Sequence, residues 1–172
     1  MRKILIGMAG ALAAAVVIAL VSQHSGRLFA HVTLPPDDTA GRLAFALRWL
    51  LFPGLTLLVG VVGAARRGFY RDAIDGTRTP ANHGLEINLR YNQNTLEQTV
   101  LAAIAWAGLA LALPHDRLVL IPAMAWLFVI GRLTFWVGYL IYPVGRVFGM
   151  VLTVMPTLIA FAWLCWHFTQ SA

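Results

Sequence analysis

Residues 87–113 read INLRYNQNTLEQTVLAAIAWAGLALAL, a polar row that runs without a break into a long apolar stretch. Arg90, Asn94 and Glu97 stand at i, i+4 and i+7, so on a helix they share one face, with Asn92 and Gln98 flanking it. Ionisable groups inside a membrane span cost on the order of several kcal/mol unless they pair or face a cavity. Three polar side chains on one face of such a helix therefore mark a site. The following span carries a second row: Arg132, Phe135, Tyr139 and Tyr142 recur at three- and four-residue steps, and Arg146 lies one turn beyond.

The surrounding chain confirms the membrane setting. Hydrophobic residues make up 59% and charged residues 12% of the 172, with a mean hydropathy of +0.74; a soluble domain carries about 25% charged residues. A bilayer core of about 30 Å takes roughly 20 apolar residues per helix. Five stretches qualify: Ile4 to Val21, Leu43 to Ala65, Ile87 to Leu113, Leu118 to Tyr142 and Val147 to Phe168. They leave no room for a soluble domain between them.

Arg2 and Lys3 precede the first span, Arg66, Arg67, Arg71 and Arg78 crowd the 66–86 connection, and Arg146 closes the last turn. All fall on one side, which the positive-inside rule makes cytoplasmic. On the other side, Arg27, Arg42 and Arg117 are balanced by Asp37, Asp38 and Asp116. The N-terminus is thus expected inside and the C-terminus outside. The net charge of +6 reflects this topology rather than a nucleic-acid surface, since no basic stretch is interleaved with aromatics. High Ala, Gly, Leu and Arg content with Lys3 as the sole lysine points to a bacterial inner membrane.

The division expected is a transmembrane helix over 1–22, an extracytoplasmic loop over 23–42 and a four-helix membrane domain over 43–172. The first segment also fits a signal peptide or signal anchor, but its apolar run of about 18 residues exceeds the usual 7–15 and no clean small-x-small cleavage site follows it. A retained anchor is the expectation. The loop holds Pro35, Pro36, Asp37 and Asp38, the 66–86 connection holds Asp75-Gly76 and Thr79-Pro80, and Asn82 is placed to cap the helix after it. Later turns at Pro114-His115-Asp116 and Pro143 to Gly145 are short, which makes neighbouring spans antiparallel. Pro53, Pro122 and Pro156 are expected to bend their helices. The single cysteine, Cys165, reads as a packing residue, because no basic group adjoins it to lower its pKa.

The polar rows suit a zwitterionic ligand. Arg90 can clamp a carboxylate, Glu97 can hold an ammonium, and Asn94 can both donate and accept. Each also has a plain structural reading: positive-inside bias alone places Arg66, Arg67 and Arg146 at helix ends, and Tyr139 fits an interfacial aromatic belt.

Taken together, Ala65-Arg66-Arg67-Gly68-Phe69, Arg90-x-x-x-Asn94-x-x-Glu97, Arg132-x-x-Phe135-x-x-Gly138-Tyr139 and Arg146 resemble the membrane-associated proteins in eicosanoid and glutathione metabolism, the MAPEG superfamily. The resemblance covers about Leu43 to Phe168. It implies an all-α integral membrane fold, an antiparallel four-helix transmembrane bundle forming a homotrimer, with glutathione held between subunits on the cytoplasmic side. It further implies that Arg66, Arg90, Asn92, Asn94, Glu97, Arg132, Phe135 and Tyr139 line the glutathione site and that Arg146 is the catalytic residue beside the thiol. No metal is implied. A lipophilic electrophile or hydroperoxide would arrive from the bilayer past Trp106, Trp126, Phe128 or Trp136.

Two departures stand out: Phe135 replaces a tyrosine of several glutathione-using members, and Gln98 replaces an aromatic. The extra N-terminal span resembles the five-span branch that holds transmembrane protein 79-like and bacterial members. The expected function is a glutathione-dependent membrane transferase or peroxidase, with a noncatalytic scaffold or lipid-binding protein as the alternative. A transporter is disfavoured, because the sequence shows neither an inverted repeat nor paired broken helices.

Overall fold

In the computed structural model, residues 1–76 and 80–171 are described, with side chains through Gln170; Arg78 and Thr79 of the basic connection lie outside the described residues. Among the described residues five α-helices follow in order: α1 (Arg2–Leu28), α2 (Thr39–Ala65), α3 (His83–Ala112), α4 (Leu120–Ile141) and α5 (Val147–Ser171). All five are long and apolar enough to cross a membrane. Short 3-10 turns at Arg66–Phe69 and His115–Val119 extend α2 and lead into α4. Among the described residues there is no strand.

Polar side chains explain where the helices outrun the apolar stretches. α1 continues past Val21 to Leu28 because the Ser25 hydroxyl donates to the Ser22 carbonyl and the His24 ring bonds the Leu20 carbonyl. The expected loop over 23–42 therefore shortens to 29–38. At α3 the Asn82 side chain accepts from the Leu85 N–H at 2.9 Å, which starts the helix at His83, well before Ile87. Pro122 falls in the first turn of α4, where an N–H has no intrahelical partner anyway, so it bends nothing. Pro53 and Pro156 do lie inside helices, and the Thr56 hydroxyl donates to the Pro53 carbonyl.

Helix α2 packs along α3 and α4, and α5 packs along the same two from the other side. Both main seams depend on missing side chains. A Cβ on Gly60 of α2 would meet Tyr91 and Asn92 of α3 at about 3 Å, and one on Gly149 of α5 would overlap the Gly131 carbonyl oxygen of α4. Gly138 and Gly145 meet just as closely across the α4–α5 turn.

One half of the bundle is an apolar core of Phe45, Trp106, Leu109, Leu118, Ile121 and Phe128. At that end, Arg42 donates to the carbonyls of Ala110 and Leu113, which α3 leaves unpaired at its C-terminus, and also to Asp37. His115 bonds the Pro35 carbonyl beside it. The outer faces are apolar, with Leu47, Leu51, Val59, Ile104, Leu133 and Leu158 all exposed, as a lipid-facing surface requires.

The glycine seam yields a paired test. Gly149→Ala should lose about 1–3 kcal/mol through overpacking against the α4 backbone. Gly54→Ala, where a Cβ meets nothing within 4 Å, should gain about 0.5–1 kcal/mol of helix stability. Thermal unfolding in detergent reads both, and equal effects would dismiss the seam as a determinant of the fold.

Candidate functional site

The other half of the bundle opens into a cavity of about 450 Å³ lined by Leu89, Arg90, Gln93, Asn94 and Glu97 from α3, Phe135 and Tyr139 from α4, and Arg146 and Met150 at the start of α5. Its size lies within the roughly 300–1,000 Å³ of ligand sites. Helical spacing builds this wall. Gln93 follows Arg90 by three residues and Glu97 follows Gln93 by four, so all three project to one side. Arg90 is held by Glu86, one turn back, with Nη2 at 2.8 Å from the carboxylate, and Gln93 donates to Glu97 at 2.9 Å.

Behind this wall lies Arg132, fully buried. Its Nη1 donates to Asn94 Oδ1 at 2.7 Å and its Nη2 donates to the Thr153 hydroxyl. The guanidinium carbon lies 4.8 Å from the Phe135 ring centre and 5.7 Å from that of Phe128, within cation–π range. Among the described residues no carboxylate bonds it, and its Nε has no partner. Because Asn94 Oδ1 is occupied by Arg132, the Asn94 amide nitrogen is left as the group available to the cavity.

On the opposite wall the Arg146 guanidinium sits 4.6 Å over the Tyr139 ring, and Tyr139 meets Phe135 edge-on at 5.9 Å. The turn beneath is tight: the Gly145 N–H donates to the Tyr142 carbonyl at 2.8 Å and the Tyr142 N–H to the Gly138 carbonyl at 2.9 Å. The site thus presents two cations, one carboxylate and two amides around an opening that Phe135 and Met150 also line. Such a set can bind a ligand carrying both carboxylate and ammonium groups, and can hold an anion next to Arg146. Among the described residues, no three His, Cys, Asp or Glu side chains gather to hold a metal ion.

The MAPEG family pattern matches residues 43–166, nearly the whole of α2 to α5 and all of the cavity wall. The chain belongs to the MAPEG family. It is a multi-pass integral membrane protein, as the family and its five apolar helices together establish. Transmembrane protein 79 of Mus musculus is 28% identical over 155 residues, covering 87% of this chain and 39% of the mouse protein. Transmembrane protein 79 of Bos taurus is 28% identical over 129 residues, covering 75% of this chain and 32% of the bovine protein. The chain therefore spans about a third to two fifths of the length of these relatives. No solved structure matches it.

Of the residues that the MAPEG resemblance singled out, the fold gathers Arg90, Asn94, Glu97, Phe135, Tyr139 and Arg146 around the cavity. Arg132 stands one layer behind, tethering Asn94. Asn92 points instead toward Gly60 of α2, its Oδ1 buried without a partner, and Arg66 is exposed at the end of α2 away from the lining. Arg67 bonds the Ala73 carbonyl within its own connection. Gln98 is buried and does not line the cavity. Leu89, Gln93 and Met150 join the lining unexpectedly, although Gln93 and Met150 stand one turn from Arg90 and Arg146, a spacing that the sequence already displayed. Of the four aromatics considered for the bilayer side, Trp106 and Phe128 are core, whereas Trp126 and Trp136 face outward.

The Arg132 tether has an unusual signature. Removing one partner of a buried hydrogen bond leaves the other unsatisfied at a cost of about 1–3 kcal/mol, so Arg132→Met, which takes the donor from Asn94 Oδ1, should lower stability by about that much and leave the bundle folded. It should also release Asn94, seen as averaging of the Asn94 side-chain amide resonances in detergent-solubilised protein. A collapse of the melting point would show that Arg132 holds up the bundle rather than Asn94.

Proposed function

We propose that the cavity binds glutathione and that the protein is a glutathione-dependent membrane transferase or peroxidase. The observation that carries this reading is the placing of Arg146 over Tyr139 on the wall facing Arg90, Asn94 and Glu97, inside a MAPEG domain. Glutathione carries two carboxylates, an ammonium and a thiol. Arg90 and the Asn94 amide suit a carboxylate, Glu97 suits the ammonium, and Arg146 remains for the sulfur. A fixed positive charge beside a thiol lowers its pKa and favours the thiolate, the nucleophilic form. The thiolate then attacks a lipophilic electrophile, displacing its leaving group, or the terminal oxygen of a hydroperoxide. In the second case the O–O bond breaks to release the alcohol and leave glutathione sulfenic acid, which a second glutathione converts to the disulfide and water. Cys165 has no part, since it lies exposed near the far end of α5.

In this reading the protein is a homotrimer, and the exposed Arg66 reaches the site of a neighbouring subunit rather than its own. The reading sets the cavity on the cytoplasmic face of a bacterial inner membrane with the C-terminus outside, and the basic residues at the cavity end support that orientation. The electrophile enters from the bilayer on the Trp136 side, next to Phe135.

The internal pairing of the polar groups favours a second reading. Arg90 is bound by Glu86, Glu97 by Gln93, and Arg132 by Asn94, so the cluster is partly satisfied without a ligand. A noncatalytic scaffold or lipid-binding protein would keep it for cohesion alone.

Melting and turnover separate the two. Glutathione at 100 times its Kd should stabilise wild type by about 2.7 kcal/mol, and Arg90→Ala should abolish that gain while staying folded. Arg146→Ala should retain most of the gain yet lose on the order of 100-fold in turnover of a chlorodinitrobenzene-type electrophile. Dissociation or unfolding of Arg90→Ala regardless of glutathione would select the scaffold.

A further inference from the structure

Helix α1 lies outside the family segment, yet it is packed against the part of the fold that carries Arg146. It runs along α5 and α4. Gly7, Gly10 and Ala14, at i, i+3 and i+7, form the contact face. A Cβ on Gly7 would meet Val144 Cγ1 at 3.2 Å, and one on Gly10 would meet the Phe148 backbone nitrogen at 3.5 Å. Ala14 and Ile18 continue the seam against Leu127 and Leu152, and Ala14 is completely buried. At the very end, Arg2 and Ile6 border a space of about 300 Å³ shared with Tyr142. The turn carrying Arg146 is thus held from two sides: by the Gly138–Gly145 contact, and by α1 at Val144, Val147 and Phe148.

We infer that α1 is a clamp that sets the position of Arg146, with Gly10 and Gly7 as its positioning residues. The inference rests on the glutathione reading of the cavity and deepens it. The effect of a charge on a neighbouring thiol falls with distance and with water between them. A turn free to move outward would carry the guanidinium off the Tyr139 ring and away from the sulfur. A bulky side chain at Gly10 cannot be absorbed, because it meets the α5 backbone rather than a flexible side chain. The mouse relative's match covers 87% of the chain, more than 43–166 and the few residues after it supply, so the similarity reaches N-terminal to Leu43.

The full-length protein in detergent allows two readouts on the same samples. Amide hydrogen exchange at Gly145 and Val147, whose N–H groups donate to the Tyr142 and Val144 carbonyls, reports the turn without any ligand. Ultraviolet titration of the thiolate of added glutathione reports the charge at the sulfur. In Gly10→Phe and Gly7→Leu, exchange should speed up at least tenfold. The thiolate midpoint should rise by about one pH unit, because the group that favours the charged form has moved away. The conservative Gly10→Ala should keep both wild-type values. Unchanged exchange in the folded variants overturns the clamp, as does faster exchange with an unmoved midpoint. Gly7→Leu decides the matter if Gly10→Phe does not fold, since it presses on Val144 and Val147 of the turn itself without meeting backbone. A wild type that shows no thiolate at all refutes the glutathione reading, and exchange alone then judges whether α1 holds the turn.

Discussion

The burial of one guanidinium organises the polar half of this molecule. Arg132 is removed from solvent in a helix that is otherwise mostly apolar, and among the described residues no carboxylate offsets its charge. It is tolerated through two hydrogen bonds and two aromatic faces, drawn from three helices. Each of those contacts fixes a neighbour. Thr153 can be reached because Gly131 and Gly149 let α4 and α5 approach backbone to backbone, Phe135 is kept in the cavity lining, and Asn94 is turned so that its nitrogen is free. An uncompensated cation just behind the wall, with Arg90 and Arg146 in it, also gives the cavity a bias towards anions.

Much of this was legible from residue spacing. The five spans, the cap at Asn82 and the coincidence of Arg90, Asn94 and Glu97 on one face all follow from helical periodicity and from the cost of charge in a bilayer, which are local properties. The meeting of the α3 row with the Phe135, Tyr139 and Arg146 row was legible only through the family pattern, because nothing local says which helices touch. Arg132 shows the limit well. Its spacing places it with Tyr139, but whether a side chain reaches a cavity or stops one layer short depends on the closeness of the helices, which Gly131 and Gly149 set. Asn92 fails for the opposite reason: it lies next to the polar face but is rotated toward α2 by the contact at Gly60. Hydropathy likewise placed the end of α1 too early, since the polar turn after Val21 stays helical with the His24 and Ser25 side chains bonded to carbonyls of the preceding turn.

Family membership and the relatives delimit different things. The family pattern covers α2 to α5, whereas the similarity to transmembrane protein 79 extends further toward the N-terminus. The structure gives that extension a physical counterpart, because α1 is no detached anchor: its small-residue face lies in van der Waals contact with the start of α5.

The bonds made by Arg42 have a mechanical consequence. By tying the start of α2 to the end of α3, with His115 holding the connection beside it, they fasten the apolar end of the bundle much as a rivet joins the blades of a pair of tongs. Helices fastened at one end separate most at the other. Thermal opening is thereby directed to the end where the cavity lies, and on the proposed glutathione reading ligand entry and release would draw on that motion without loosening the core.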